Sequence, residues 1–297
     1  MQRKRAGPHD EGLARRSQRA VAMLRSLVPV LAALTLMACA GDEVEQLDDL
    51  DDLADLGKGD GPLGAWTGIG VGVAYQQVTT GGAVLIAYGG YSAKLSYAAA
   101  WATELVDAKL GAVDVGHVYA VRGPADAAYA AREIANTKLR AHLLSLAAGT
   151  PIYIVAHSSG AFVAHELLAQ AHAAGDTELL SRIAYANLDG GGSGLTTPIV
   201  AALGAITFVS ARDPAAGRSQ NSSTMKALGT TYAAYGSAFE VVVPGTGCQP
   251  GAGWCLHDVV ITQRPHDPST YDLARDYTDF VDRPVTTAYL DPLLPVR

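Results

Sequence analysis

Pro151-Ile152-Tyr153-Ile154-Val155-Ala156-His157-Ser158-Ser159-Gly160-Ala161-Phe162-Val163-Ala164-His165-Glu166-Leu167-Leu168 is the stretch that decides the fold. It opens as a short apolar, β-branched run, passes through small residues, and closes with apolar side chains at helical spacing. A strand that turns at once into a helix forces sparsely populated backbone on the residue at the turn, here Ser158. Positions two before and two after it must then be small, and Ala156 and Gly160 meet that demand. The helix starting at Ser159 brings a backbone N–H and the positive end of its dipole to the same point.

The same alternation extends outward. Apolar runs at 83–88, 115–121, 152–156, 183–188, 206–209 and 239–243 read as strands, and Ala-, Leu-, Glu- and Lys-rich segments at 96–110, 127–146, 161–174 and 223–235 read as helices. The runs are nearly continuous rather than alternating, so both sheet faces should be covered. The expectation is an α/β protein with a mostly parallel central sheet and helices on both faces. The segment 65–80 reads as a strand or hairpin added at the sheet edge, and no internal repeat is found. Its Gly68, Gly70 and Gly72 do not make a dinucleotide loop, because the third glycine is misplaced and no helix follows.

Composition narrows the class. With 297 residues, 49% hydrophobic, 17% charged and 3 Cys, disorder, collagen and a disulfide scaffold are excluded. Residues 1–38 hold seven Lys or Arg against two acids, so the net charge of -7 conceals a more acidic body. With no basic stripe, that body offers no electrostatic footprint for nucleic acid.

The basic leader precedes an apolar run at 27–38, too short for a stable membrane span, and reads as an export signal over 1–38, with Met23 an alternative start. The run ends Leu36-Met37-Ala38-Cys39, which resembles the lipobox of bacterial lipoproteins. That resemblance implies lipidation of Cys39, a membrane anchor, and an outer-membrane or cell-surface location, or otherwise a periplasmic or secreted one. Residues 39–62 are acid-rich and read as a flexible tether that self-repels. The folded domain is expected over 63–297.

Ala156-His157-Ser158-Ser159-Gly160 resembles the nucleophile elbow of α/β-hydrolases, G-x-S-x-G, with Ala156 in place of the first glycine. The resemblance implies an α/β-hydrolase fold with Ser158 as nucleophile, followed in chain order by an acid and a His. Asp213, ahead of Pro214 after the penultimate strand, is the favoured acid, and Asp189 is the alternate, which could instead bind turn amides in its Gly-rich loop. His257 is the favoured base and His266 the alternate. Cys248 and Cys255 flank a short Gly-rich loop beside His257, an arrangement similar to cutinases and some fungal lipases, and they are expected to form a disulfide. Oxyanion donors are expected from the Ser159 N–H and from Gly90 or Tyr91, with the Tyr91 ring lining the pocket.

The stretch 189–205 is short and built of small residues, leaving no room for a large cap. The implied function is a serine esterase, carboxylesterase- or lipase-like, acting on a small-molecule or lipid ester through an acyl-enzyme without a cofactor. The alternatives are a noncatalytic binding protein of the same fold, or a peptidase or acyltransferase with the same triad. His165 and His172 are expected to be structural, His157 to face away from the chemistry, and no metal site is expected.

Overall fold

The computed structural model describes residues 66–91, 93–108, 114–124 and 129–261. The leader at 1–38, Cys39, the acidic stretch at 39–62, Ser92 and His266 lie outside the described residues.

A single sheet organises them. Its strands are β1 (Thr67–Gly70), β2 (Val73–Gln77), β3 (Ala83–Tyr88), β4 (Val115–Val121), β5 (Ile152–His157), β6 (Ile183–Leu188), β7 (Ala205–Asp213), β8 (Gly217–Arg218) and β9 (Gly236–Val242). They lie in the order β1-β2-β4-β3-β5-β6-β7-β8, with β9 also paired to β7. β3 through β7 and β9 run parallel, while β1, β2 and β8 enter antiparallel. The 65–80 segment is therefore an edge hairpin, turning at Gly72, where φ is 67°. The helices are α1 (Leu95–Ala108), α2 (Tyr129–Ser145), α3 (Gly160–Ala173), α4 (Thr177–Ser181), α5 (Thr197–Ala202), α6 (Ser222–Thr231) and α7 (Gly253–Asp258).

Strand alternation sends each apolar run to two cores, because successive side chains leave opposite faces of the sheet. In β3, Val84, Ile86 and Tyr88 pack with Val163, Ala164 and Leu167 of α3 and with Met225 of α6. Leu85 and Ala87 pack with Trp101 and Leu105 of α1 and Leu256 of α7. Helices thus cover both faces, which is why β3 is buried along its whole length. The sheet is α/β and mostly parallel, as the alternation of runs predicts.

Among the boundaries that differ from expectation, that of β7 has a clear cause. β7 extends four residues past its apolar run because Ser210, Ala211 and Arg212 keep pairing with β9 and Asp213 with Gly217. The loop at 189–205 contains the short α5, begun by Pro198 in its first turn, and no larger insertion. Among the described residues no helix is long and apolar enough to cross a membrane.

Candidate active site

Parallel strands deliver their connections to one edge of the sheet, and the singled-out residues gather at that carboxyl edge. Ser158 follows β5 and Asp189 follows β6, the neighbouring strand. Among the described residues these two are the only non-glycine positions with positive φ, 54° at Ser158 and 46° at Asp189. Such backbone costs about 1–3 kcal/mol per residue and persists only where surroundings enforce it. Here each N–H is tied to the next strand: Ser158 N donates to Leu188 O at 3.0 Å, and Asp189 N donates to Val209 O at 2.7 Å. The sheet ladder itself holds both side chains up at its rim.

The small residues around Ser158 do what their sizes suggest. Ala156 is fully buried in β5. A Cβ on Gly160 would lie 2.3 Å from Gly89 O and 2.7 Å from Tyr88 O, so the backbone after β3 rests directly on the start of α3. A Cβ on Gly190 would likewise meet Ser158 O at 2.7 Å, which lets the loop after β6 close on the elbow. Gly160→Ala should therefore push two backbone segments apart. We expect a loss of about 1–3 kcal/mol in urea unfolding; unchanged stability would show that the loop after β3 is not held against α3.

His257 sits near the end of α7, buried, and its Nδ1–H donates to Asp189 Oδ2 at 2.7 Å. The fully buried Asp189 carboxylate has further donors: Ser219 Oγ–H to Oδ1 at 2.6 Å and Asn221 N–H to Oδ2 at 3.3 Å. Asn221 Nδ2 also donates to Asp189 O at 2.6 Å, clamping the left-handed residue. A carboxylate with this many donors is satisfied as an anion and fixes the imidazole with its proton on Nδ1, leaving Nε2 as the acceptor.

The preference for Asp213 as the partner of the His is corrected by this geometry. Asp213 Oδ1 accepts from Ala215 N at 2.9 Å, and Oδ2 accepts from Thr246 N at 2.9 Å and Thr246 Oγ1 at 2.6 Å. These bonds, the Thr246 hydroxyl foremost, hold its carboxyl below the usual range. Asp213 staples the β7–β8 turn to the loop after β9 and does not meet His257. The turn-amide role offered as the alternative for Asp189 falls to Asn187, whose Oδ1 accepts from Gly190 N at 3.0 Å and whose Nδ2 donates to Gly191 O at 2.9 Å.

Ser158 and His257 line one cavity of about 200 Å³ together with Ser159, Phe162, Gly190, Gly191, Gln220, Asn221 and Trp254. Tyr91 is not among its walls and is 58% exposed, so its expected place in the pocket is corrected; Phe162 and Trp254 supply the aromatic surface. Gly90 is buried in the loop after β3, and its carbonyl accepts from Ala93 N at 3.1 Å. Ser159 occupies the N-cap position of α3 without a side-chain capping bond, and its Oγ is buried without a hydrogen-bond partner. Cys248 and Cys255 are joined in a disulfide with Cα atoms 5.8 Å apart, which ties the loop after β9 to the helix carrying His257.

His157 does not face away from this cluster. Its ring lies 4.8 Å from that of His257, and its Nε2 is 3.4 Å from the His257 carbonyl and 3.9 Å from Asp258 Oδ1. Complete burial, reinforced by the His257 ring and opposed by Asp258, lowers its pKa to about 3, so it is neutral. The Nε2–H tautomer then donates to the His257 carbonyl, holding the His257 backbone from behind, while Nδ1 has no partner. These three side chains also form the one His/Asp cluster of metal-ligating type among the described residues. His165 is structural, its Nδ1–H donating to Ser193 O at 2.7 Å and its Nε2 accepting from Tyr185 OH at 2.9 Å. Sequence reasoning missed Asn187, Ser219 and Asn221, which carry no pattern of their own; Trp254 stood beside a flagged cysteine.

A larger hollow of about 430 Å³ lies at β7, β9 and α6, and shares no lining residue with the first. Two of its charges pair, Arg218 Nε with Glu240 Oε1 at 2.6 Å.

No family model matches the chain, and no curated protein sequence matches it. Among solved structures, the crystal structure of TT1662 from Thermus thermophilus superposes with a TM-score of 0.37 at 18% identity, over 58% of this chain and 84% of that one.

Proposed function

We propose that the protein is a serine hydrolase of α/β-hydrolase type that cleaves small carboxylic esters through an acyl-enzyme. The observation that carries this reading is the pairing of two strained residues on adjacent strands, Ser158 and Asp189, with a His that bonds to the second and shares a cavity with the first. A structural turn has no need of left-handed Ser and Asp side by side, whereas a nucleophile and its orienting acid do.

In this reading Ser158 Oγ attacks the ester carbonyl carbon and its proton passes to His257 Nε2. Asp189 holds the resulting imidazolium through Nδ1–H, and backbone N–H groups at the start of α3 stabilise the oxyanion. The acyl–oxygen bond then breaks and the alcohol leaves with the proton from Nε2. Water attacks the acyl-enzyme, gives its proton to His257, and the acid departs as Ser158 recovers its hydrogen. The chain order Ser, Asp, His matches that of α/β-hydrolases.

The cavity favours an esterase over a lipase. About 200 Å³ is below the usual span of roughly 300–1,000 Å³ for drug-sized ligands, and among the described residues the lining carries no Lys, Arg, Asp or Glu. Short, uncharged acyl groups fit it. The test is reaction with a fluorophosphonate, mapped by mass spectrometry, alongside p-nitrophenyl esters of increasing chain length. Labelling at Ser158, absent in Ser158→Ala, with turnover highest for two to four acyl carbons, is expected; a folded protein that neither labels nor turns over would overturn the reading.

A further inference from the structure

Trp254 is 63% exposed, the highest exposure among the large hydrophobic side chains described. It lies in α7, the helix that also carries His257, and not on a loop. It precedes Cys255, whose disulfide to Cys248 closes the preceding loop, and its ring meets the His257 ring edge-on at 5.8 Å and 82°. Gln220, also exposed, is fixed beside it, its N–H donating to Gly253 O at 3.0 Å. Both side chains line the cavity that holds Ser158.

Building on the hydrolase reading, we infer that Trp254 and Gln220 form the leaving-group subsite and that the alcohol it takes is a sugar, making the substrate an O-acyl carbohydrate. His257 must hand its proton to the leaving oxygen, so the alcohol departs over His257 and therefore over the indole packed against it. A sugar ring presents a face of C–H bonds to an aromatic surface and hydroxyls at its rim. A rigid indole with a free carboxamide alongside answers both, whereas a hydrocarbon alcohol would leave the amide desolvated and unpaired. The described residues of the lining carry no Lys, Arg, Asp or Glu, which suits a neutral glycoside. In the step itself the bond between acyl carbon and sugar oxygen breaks, the sugar oxygen takes the proton from Nε2 and leaves as a hydroxyl, and water then supplies the oxygen of the released acid.

The experiment compares kcat/KM of the purified full-length protein for a methyl 6-O-acetyl-glucopyranoside, ethyl acetate and hexyl acetate, in wild type, Trp254→Ala, Trp254→Phe and Gln220→Ala. Wild type should prefer the glucoside. Trp254→Ala should lower the ratio of glucoside to ethyl acetate kcat/KM about 10-fold, through KM more than kcat, with most of the ratio kept by Trp254→Phe. Gln220→Ala should lower the same ratio by a smaller factor. A ratio unchanged in Trp254→Ala, or hexyl acetate preferred by wild type, would overturn the subsite. Fluorophosphonate labelling separates the two levels: labelled Ser158 without glucoside turnover rejects the sugar alone, and unlabelled Ser158 in folded protein rejects the hydrolase reading with it.

Discussion

Asp189→Asn should cut kcat on a short-chain ester about 10⁴-fold, while Asp213→Asn should leave it within a few-fold of wild type. The two acids look alike in the sequence, each at a strand end, and the difference rests on what each carboxylate touches. The carboxamide introduced by Asp189→Asn could still accept from Ser219 through its oxygen. Its amide nitrogen would then face His257 Nδ1–H and the Asn221 N–H, two donors that formerly met an oxygen. The imidazole resolves the conflict by moving its proton to Nε2, the atom that must accept from Ser158, and the base is switched off without losing its place. Asp213→Asn instead disturbs the bonds from Thr246 and Ala215, so its cost falls on the loop after β9. Steady-state kinetics with thermal unfolding of both variants checks this. Equal losses of kcat, or a larger loss in Asp213→Asn, would mean that the Asp189–His257 bond does not set the working tautomer.

That contrast also marks the limit of what the residues alone convey. The central parallel strands were legible because each is a run of apolar residues long enough for a strand and too short for a helix, as in 83–88, 115–121 and 183–188, which the structure reproduces, whereas the two-residue β8 has no such run. The strained turn at Ser158 was legible because its small neighbours are a local steric requirement, and Gly160 shows how tight that requirement is. The partner of His257 was not. An Asp before Gly signals a turn, and an Asp before Pro signals another; which of them meets a histidine 68 or 44 residues later depends on the lateral order of strands. The left-handed backbone that lifts Asp189 is enforced by the N–H bond to Val209 on β7, a contact 20 residues away with no trace in the local pattern. The place of His157 is hidden for the same reason, since strand alternation gives its face but not the helix α7 that arrives there 100 residues on.

Acid should unfold this protein through two buried histidines before its carboxylates are reached. His157 is lowered to about 3 and His165 to about 4 from an ordinary 6.5, each mainly because burial disfavours the charged ring. With folded pKa values below unfolded ones, the unfolded chain binds the extra protons between about pH 6.5 and 4. The stability these groups contribute is whole above pH 6.5 and is lost as pH falls through that window. Each proton contributes a slope of about 1.4 kcal/mol per pH unit, so the pair together should cost several kcal/mol by pH 4.5, comparable to the whole stability of many domains. Urea unfolding from pH 7 to 4.5 measures that slope. His165→Gln, whose amide can still meet Ser193 or Tyr185, should remove one proton from it, about half of the pair's slope, at a cost of about 1–3 kcal/mol at pH 7. His157→Gln should remove the other while slackening the bond to the His257 carbonyl. A slope unchanged in both variants would place the acid sensitivity elsewhere. If the slope falls as expected, the histidine behind the base stays neutral throughout the pH range in which the base works, so it can hold His257 without adding a second positive charge beside the imidazolium.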